Sequence, residues 1–130
     1  MIVVNNKKEL KELIYQRIEE QGSNCSLNDI DVSKIDDMSF LFHEIDFNGD
    51  ISEWDVSNVR DMSYMFWSSK FDGDISGWDT CKVEDMTYMF WSSKFNGDIS
   101  EWDVTNVEDM SCMFYNSPLS GREPKWYRPW

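Results

Sequence analysis

The sequence predicts a repeat solenoid: four stacked 24-residue coils, each a strand plus a short helix, between an N-terminal helical cap and an aromatic C-terminal cap. Three observations predict it. Trp54, Trp78 and Trp102 stand 24 residues apart, and Ile30 holds the same place one period earlier. Apolar columns recur in that register, among them Met38/Met62/Met86/Met110, Phe42/Phe66/Phe90/Phe114 and Phe47/Phe71/Phe95/Leu119. The flanking segments differ in kind, an amphipathic helical pattern before the repeat and a basic, aromatic tail after it. These boundaries divide the chain into a cap at 1–29, the solenoid at 30–121 and a capping tail at 122–130.

The elements follow in order. Asn6-Lys7-Lys8-Glu9 reads as a capping box opening a helix that runs to about Gln21, with Gly22 as its stop. Leu10, Leu13, Ile14 and Ile18 fall on one face of that helix, and sealing the first coil is the use predicted for them. Within a repeat, Ile51-x-x-Trp54-x-Val56 matches the strand portion of a leucine-rich repeat, with Trp and Val pointing inward and the alternate residues outward. Val59, Met62, Met65 and Phe66 follow helical spacing, which predicts one or two helical turns after Asn58. Thr105-x-x-Glu108 and Ser33-x-x-Asp36 resemble capping boxes for such helices. Phe-Asn-Gly-Asp, at Phe47–Asp50 and Phe95–Asp98, reads as a tight turn because Asn and Gly tolerate positive φ. In the tail, Trp126, Tyr127 and Trp130 are expected to fold over the last coil, with Arg122, Lys125 and Arg128 against its acidic flank.

The words Trp54-Asp55-Val56-Ser57-Asn58-Val59 and Asp61-Met62-Ser63-x-Met65-Phe66 recur at Trp102–Phe114, with Thr105 for Ser57, and Phe71-x-x-Asp74-Ile75 recurs at Phe47–Ile51 and Phe95–Ile99. In these the chain resembles the bacterial surface-protein repeats of BspA-like proteins and mycoplasma lipoproteins. The resemblance covers roughly Ile30 to Gly121. It implies a leucine-rich-repeat-like solenoid used for adhesion or protein binding.

Composition narrows the function classes. Twenty-five acidic against twelve basic side chains give a formal net charge of −13, which opposes direct binding to nucleic acid or to anionic membranes and favours a basic partner. No apolar stretch is long enough to span a bilayer. The run Met1–Val4 is too short for the core of a signal peptide, so a cytoplasmic location is expected, in a bacterial or phage-infected cell. The cell surface is the alternative if an export signal has been removed. Cys25, Cys81 and Cys112 are odd in number and lack metal-ligand spacing, which reads as reduced thiols.

No enzyme is expected. The carboxylate pairs recur in every unit, whereas a catalytic pair is a unique constellation. The single histidine, His43, stands where other units carry Trp67, Trp91 and Tyr115, so it reads as a column member rather than a base. Asp46-x-Asn48-x-Asp50 alternates oxygen donors, but its Gly49 is misplaced and the closing Glu is missing for a calcium loop. No metal and no cofactor is assigned.

The outward strand positions carry the functional expectation. Asp29, Glu53, Gly77 and Glu101 form one row, and Asp31, Asp55, Asp79 and Asp103 the next, with no lysine among them. Stacked like charges oppose one another across a sheet, a cost that function could explain. If the coils stack as strands do, the charge density is of the order of duplex DNA's, about one per 1.7 Å. The expectation is an intracellular acidic decoy that occludes the basic, nucleic-acid-binding surface of a partner protein, in the manner of an inhibitor of anti-defence or anti-CRISPR type. Asp37/Asp61/Asp85/Asp109 and Asp50/Asp74/Asp98 read instead as helix-dipole and turn residues. The alternative is an adhesion or host-binding protein using an aromatic column, His43, Trp67, Trp91 and Tyr115, beside Phe40, Tyr64 and Tyr88.

Overall fold

The computed structural model describes residues 1–129; Trp130, expected in the cap, lies outside them. From Asp37 onward the chain returns every 24 residues to hydrogen-bond with its own earlier course. Isolated parallel bridges join Asp37 to Asp61, Asp61 to Asp85 and Asp85 to Asp109. Beyond each bridge the N–H groups of alternate residues donate to the following coil: Met62 to Asp85, Tyr64 to Thr87, Phe66 to Met89 and Ser68 to Trp91, each at 2.9 Å. The same four bonds recur from Met86, Tyr88, Phe90 and Ser92, each again 2.9 Å. The peptides between them turn locally instead, as Met65 N–H donates to Met62 and Trp67 N–H to Tyr64.

This segment is the one whose spacing predicts a helix, and it is not helical. Tyr64 and Ser68 take left-handed φ of 57° and 53°, and their counterparts at 40, 44, 88, 92, 112 and 116 do the same. A left-handed residue every fourth position reverses the helical sense, so the peptides point along the stack rather than along the segment. The apolar spacing is genuine, because Met62, Met65 and Phe66 are fully buried, but it marks the inside of a chain of turns. Phe42, Phe66, Phe90 and Phe114 stack through the centre at 5.4–5.7 Å, each almost without exposure.

The expected strand around Trp54 is also absent. Turns closed by Trp54 N–H on Ile51 and by Val59 N–H on Val56 bend the chain here, and Glu53 and Ser57 N–H donate to the side chains of Asn28 and Asp55. Side chains link the coils instead. The indole Nε1 of Trp54 donates to Leu27 O, that of Trp78 to Ile51 O and that of Trp102 to Ile75 O, at 2.8–3.0 Å. Asn58 and Asn106 amides donate to the carbonyls of Ser33 and Cys81. The Trp54, Trp78 and Trp102 rings lie 6.3–6.4 Å apart, wider than strand spacing.

Nor is Phe47–Asp50 a positive-φ turn. Gly49 has no left-handed φ, and it is glycine because a Cβ there would overlap the carbonyl oxygen of Cys25. At Gly73 the obstacle is the Phe71 ring.

Corners are made by aspartate. Eleven of them accept, at 2.8–3.1 Å, the N–H two residues on: Asp31, Asp37, Asp50, Asp55, Asp61, Asp74, Asp79, Asp85, Asp98, Asp103 and Asp109. The residue reached is Ser or Thr, except at Cys81. These are Asx turns, three in each of the first three repeats and two in the last. Hydrogen bonds from Ser52, Ser76, Ser100 and Ser111 hold the carboxyls of Asp50, Asp74, Asp98 and Asp109 below the ordinary range. For Asp74 this outweighs the opposing charge of Asp50. Asp37 and its equivalents are therefore turn residues and not helix N-terminal charges.

At the N-terminal end, β1 (Ile2–Val3) pairs in parallel with β2 (Ile30–Asp31). Between them α1 (Lys7–Gln21) starts at Asn6, whose side chain accepts from Glu9 N–H, and stops at Gly22, φ 91°. Glu9 in turn accepts from the N–H of Asn5, one residue before the cap. Leu10 and Ile14 are fully buried, and Leu13 and Ile18 pack at the margin of the same core. Lys7 at one end reaches Asp37 and Ser39; Arg17 at the other reaches Ser26 and Asp29.

At the C-terminal end the boundary at 121 is too early. Trp126 stands 24 residues after Trp102, stacks on it at 6.4 Å, and donates to Ile99 O at 2.9 Å as each earlier Trp does one coil back. Tyr127 closes edge-on against Phe114 at 5.1 Å. Arg122 binds Asn96 and Pro118 O rather than an acidic flank.

Three outcomes follow from this geometry. Ser68 carries left-handed φ without a side-chain bond, so Ser68→Gly should raise unfolding free energy in urea by about 1 kcal/mol and Ser68→Val lower it by a similar amount. Asp85→Ala, which removes the acceptor for Thr87, should cost about 1 kcal/mol, and Asp85→Asn, which keeps an acceptor, clearly less. The turn carboxyls bind protons less readily folded than unfolded. Their stabilisation is complete above the unfolded value near pH 4 and is lost as pH falls through the lowered folded values, so the midpoint of thermal unfolding should drop from pH 6 to about pH 3.

Candidate functional site

Two surfaces remain once the turns are accounted for. The first is the acidic face beside the Trp column. Glu53, Asp55, Asp79, Glu101 and Asp103 are exposed, and none has an ion pair among the described residues. Asp79 and Asp103 lie close enough that both act on the Cys81 thiol. Its hydrogen bond to Asp79, its partial burial and the two charges push it up.

Asp29 and Asp31 do not join this group on equal terms. Arg17 forks onto Asp29 at 2.7 and 3.1 Å, with only 10% of the arginine side chain exposed, and holds the carboxyl below the ordinary range. Asp31 is half-buried and bound to Ser33. The negative face therefore spans Glu53 to Asp103 and stops short of the first coil. Arg17 itself was legible only as a helix residue, because its partner lies twelve positions on, in the loop leading to β2.

The aspartates here also have a local task, since Asp55, Asp79 and Asp103 each close an Asx turn. That task calls for an oxygen acceptor and not for a charge. In the row Asn48, Asp72, Asn96 the chain mixes the two residues, and the Asn48 and Asp72 side chains accept identically, from the N–H one coil later. Glu53 and Glu101 close no turn at all.

The second surface is aromatic. Phe40, Tyr64 and Tyr88 stack at 4.6 and 5.0 Å, nearly parallel. Beside them His43, Trp67 and Trp91 stack at 3.8 and 5.2 Å. The two columns meet edge to face, as Tyr64 does with Trp67 at 5.5 Å. Neither column is fully buried: Phe40 is 39% exposed, Tyr115 65%, and the others are intermediate. Because the rings cover one another's faces, the strip offers mainly ring edges to solvent. His43 belongs to it structurally, since its Nδ1 lies 2.8 Å from Trp67 O and so carries the donated proton.

Among the described residues no group of three His, Cys, Asp or Glu side chains is placed to hold a metal ion. The described residues also form no helix long and apolar enough to cross a membrane. Cys25 is buried, and burial pushes its thiol up. Cys112 is exposed at the end of the Phe40/Tyr64/Tyr88 column.

No curated protein and no solved structure matches the chain. A family model does, over residues 8–126, from the first turn of α1 to the last Trp of the column. The chain belongs to the family described as Mycoplasma protein of unknown function, DUF285.

Proposed function

We propose that the chain is a short leucine-rich-repeat-like solenoid, akin to bacterial surface repeats, that works as a non-catalytic protein-binding module. A basic protein surface, such as that of a nucleic-acid-binding effector, docks on its acidic face. The observation that carries this reading is the group Glu53, Asp55, Asp79, Glu101 and Asp103, exposed and unpaired among the described residues. The Asx turns explain acceptors at three of these positions. They do not explain the two glutamates or the choice of Asp over Asn at Asp55, Asp79 and Asp103. Such a face attracts a basic partner over a screening length and deters nucleic acid itself. Occluding a nucleic-acid-binding surface in the cytoplasm is the specific form of this proposal.

The aromatic strip supports a second reading, adhesion to a peptide or host surface. Half-exposed Trp and Tyr in two adjoining rows form the kind of amphipathic patch that interfaces use. Its edge-on rings suit an apolar ridge better than the flat face of a sugar.

The two readings separate by substitution. In a pull-down from lysate followed by affinity measurement, the triple variant Asp55→Asn, Asp79→Asn, Asp103→Asn should keep the fold, since Asn retains the turn acceptor, and weaken binding at least tenfold, about 1.4 kcal/mol. Binding by wild type should also fall steeply from about 0.01 M to about 1 M salt, as the screening length shrinks from ~30 to ~3 Å. Unchanged affinity in the triple variant, with loss in Trp67→Ala or Trp91→Ala, selects the aromatic strip instead.

A further inference from the structure

The tryptophans of this chain use their indole N–H groups in two ways. Trp54, Trp78, Trp102 and Trp126 each donate Nε1–H to a carbonyl of the preceding coil. Trp67 and Trp91 stack on each other at 5.2 Å, and neither Nε1–H has an acceptor among the described residues. No buried side-chain nitrogen or oxygen there lacks a partner, so both N–H groups reach water.

Lysine accompanies these two rings. Trp67-Ser68-Ser69-Lys70 is repeated as Trp91-Ser92-Ser93-Lys94, whereas the first coil has His43-Glu44-Ile45-Asp46 and the last Tyr115-Asn116-Ser117-Pro118. Both lysines are exposed between buried neighbours, so their side chains leave the coil. Lys94 has no ion pair among the described residues. Lys70 comes within 3.8 Å of Asp46 with both side chains 69% exposed, a contact worth little. Each of the two middle coils thus runs Tyr, Trp, Lys at every third position, Tyr64–Trp67–Lys70 and Tyr88–Trp91–Lys94.

These groups share one electrostatic sense. An aromatic ring is negative on its face and positive at its edge, and here the faces are turned on one another. Ring edges, indole N–H groups and ammonium groups all draw electron-rich atoms, on a chain whose net charge is −13.

We propose that Trp67, Lys70, Trp91 and Lys94, with Tyr64 and Tyr88, form a site for an extended acidic and apolar segment of a partner protein. The proposal rests on the second reading above, peptide docking at the aromatic strip, and narrows it. An extended chain sends alternate side chains to opposite sides. Laid along the stack, it turns carboxylates toward the lysines and apolar side chains toward the tyrosines, with its carbonyls over the two indole N–H groups. Its same-side repeat is about 6.6 Å, and the flexible lysine stems take up the difference from the 5.2 Å ring spacing. Charge complementarity selects this occupant, since a basic segment would set cations against both lysines. The acidic face of a second copy supplies carboxylates without apolar side chains, because its tryptophans are buried. A nucleic acid would need open ring faces for its bases.

The test titrates a short capped peptide of alternating Glu and Leu into the whole isotope-labelled chain. At about 0.15 M salt a screening length of ~8 Å leaves the groups in contact to decide. Side-chain NMR should show the Trp67 and Trp91 indole N–H signals moving and those of Trp54, Trp78, Trp102 and Trp126 staying. The dissociation constant should be tighter than about 1 mM. A peptide with Gln for Glu should bind at least tenfold more weakly. So should wild-type peptide to the double variant Lys70→Gln, Lys94→Gln, while Lys70→Arg, Lys94→Arg should bind it normally. The triple Asn variant of the acidic face should also bind it normally, which separates this test from the one above. Absence of shifts, shifts at the inward indoles, or equal affinity for the Gln peptide would overturn the proposal. If Trp67→Ala abolishes binding and the Lys→Gln pair does not, peptide docking at the strip stands and its preference for acid is refuted. A concentration-dependent dimer in sedimentation that moves the same two indole signals would assign the strip to a second copy instead.

Discussion

Everything in this molecule depends on the rows of peptides that hydrogen-bond head to tail from coil to coil. Ordinary parallel strands send successive residues to opposite neighbours. Here the peptides between Asp61 and Ser68 alternate between a bond to the next coil and a local turn. The cost is a left-handed residue every fourth position, of order 1–2 kcal/mol for a residue that is not glycine. What offsets it is burial. The two middle coils each place two Met and two Phe inside, the outer two exchange one of these for Leu41 or Leu119, and a fully buried side chain of that size contributes roughly 1.5–3 kcal/mol. The regular 24-residue period follows, because the bonds and the ring stacks need the same residue in the same place at every pass.

The same dependence sets the chemistry of the surface. A coil this tight turns three times, and each turn recruits an aspartate for the backbone N–H two residues on. Eleven of the twenty-five acidic residues stand at such turns, so the placement of much of the net charge follows from shape. What is left for recognition is narrower than the composition implies: the glutamates beside the Trp column, and the uniform choice of Asp where Asn would turn the chain equally well.

The period, the inward columns and the N-terminal helix were legible because burial writes itself into sequence as spacing. The local conformation was not. Val59, Met62, Met65 and Phe66 carry helical spacing, yet two turns with a left-handed third residue place the same side chains inward, and apolar periodicity does not distinguish the two. The strand at Trp54–Val56 is absent for a related reason, since turns closed at Trp54 and Val59 bend the chain on both sides of it. One available signal went unread. Asp-x-Ser/Thr recurs ten times between Asp31 and Ser111, which marks Asx turns directly. Trp126 was likewise visible by counting one more period from Trp102. The acidic face was foreseen from its residues, but the loss of Asp29 to Arg17 needed coordinates, because nothing in the spacing of those two residues brings them together.

The stacked indoles have an optical consequence. Trp54, Trp78, Trp102 and Trp126 lie parallel within 12° at 6.3–6.4 Å, and Trp67 and Trp91 at 5.2 Å. Chromophores that close share their excited states, so the near-ultraviolet circular dichroism of this chain is a property of the columns and not of individual residues. Displacing a single coil interrupts the coupling along the whole row, which makes the spectrum a gauge of whether all the repeats are stacked at once.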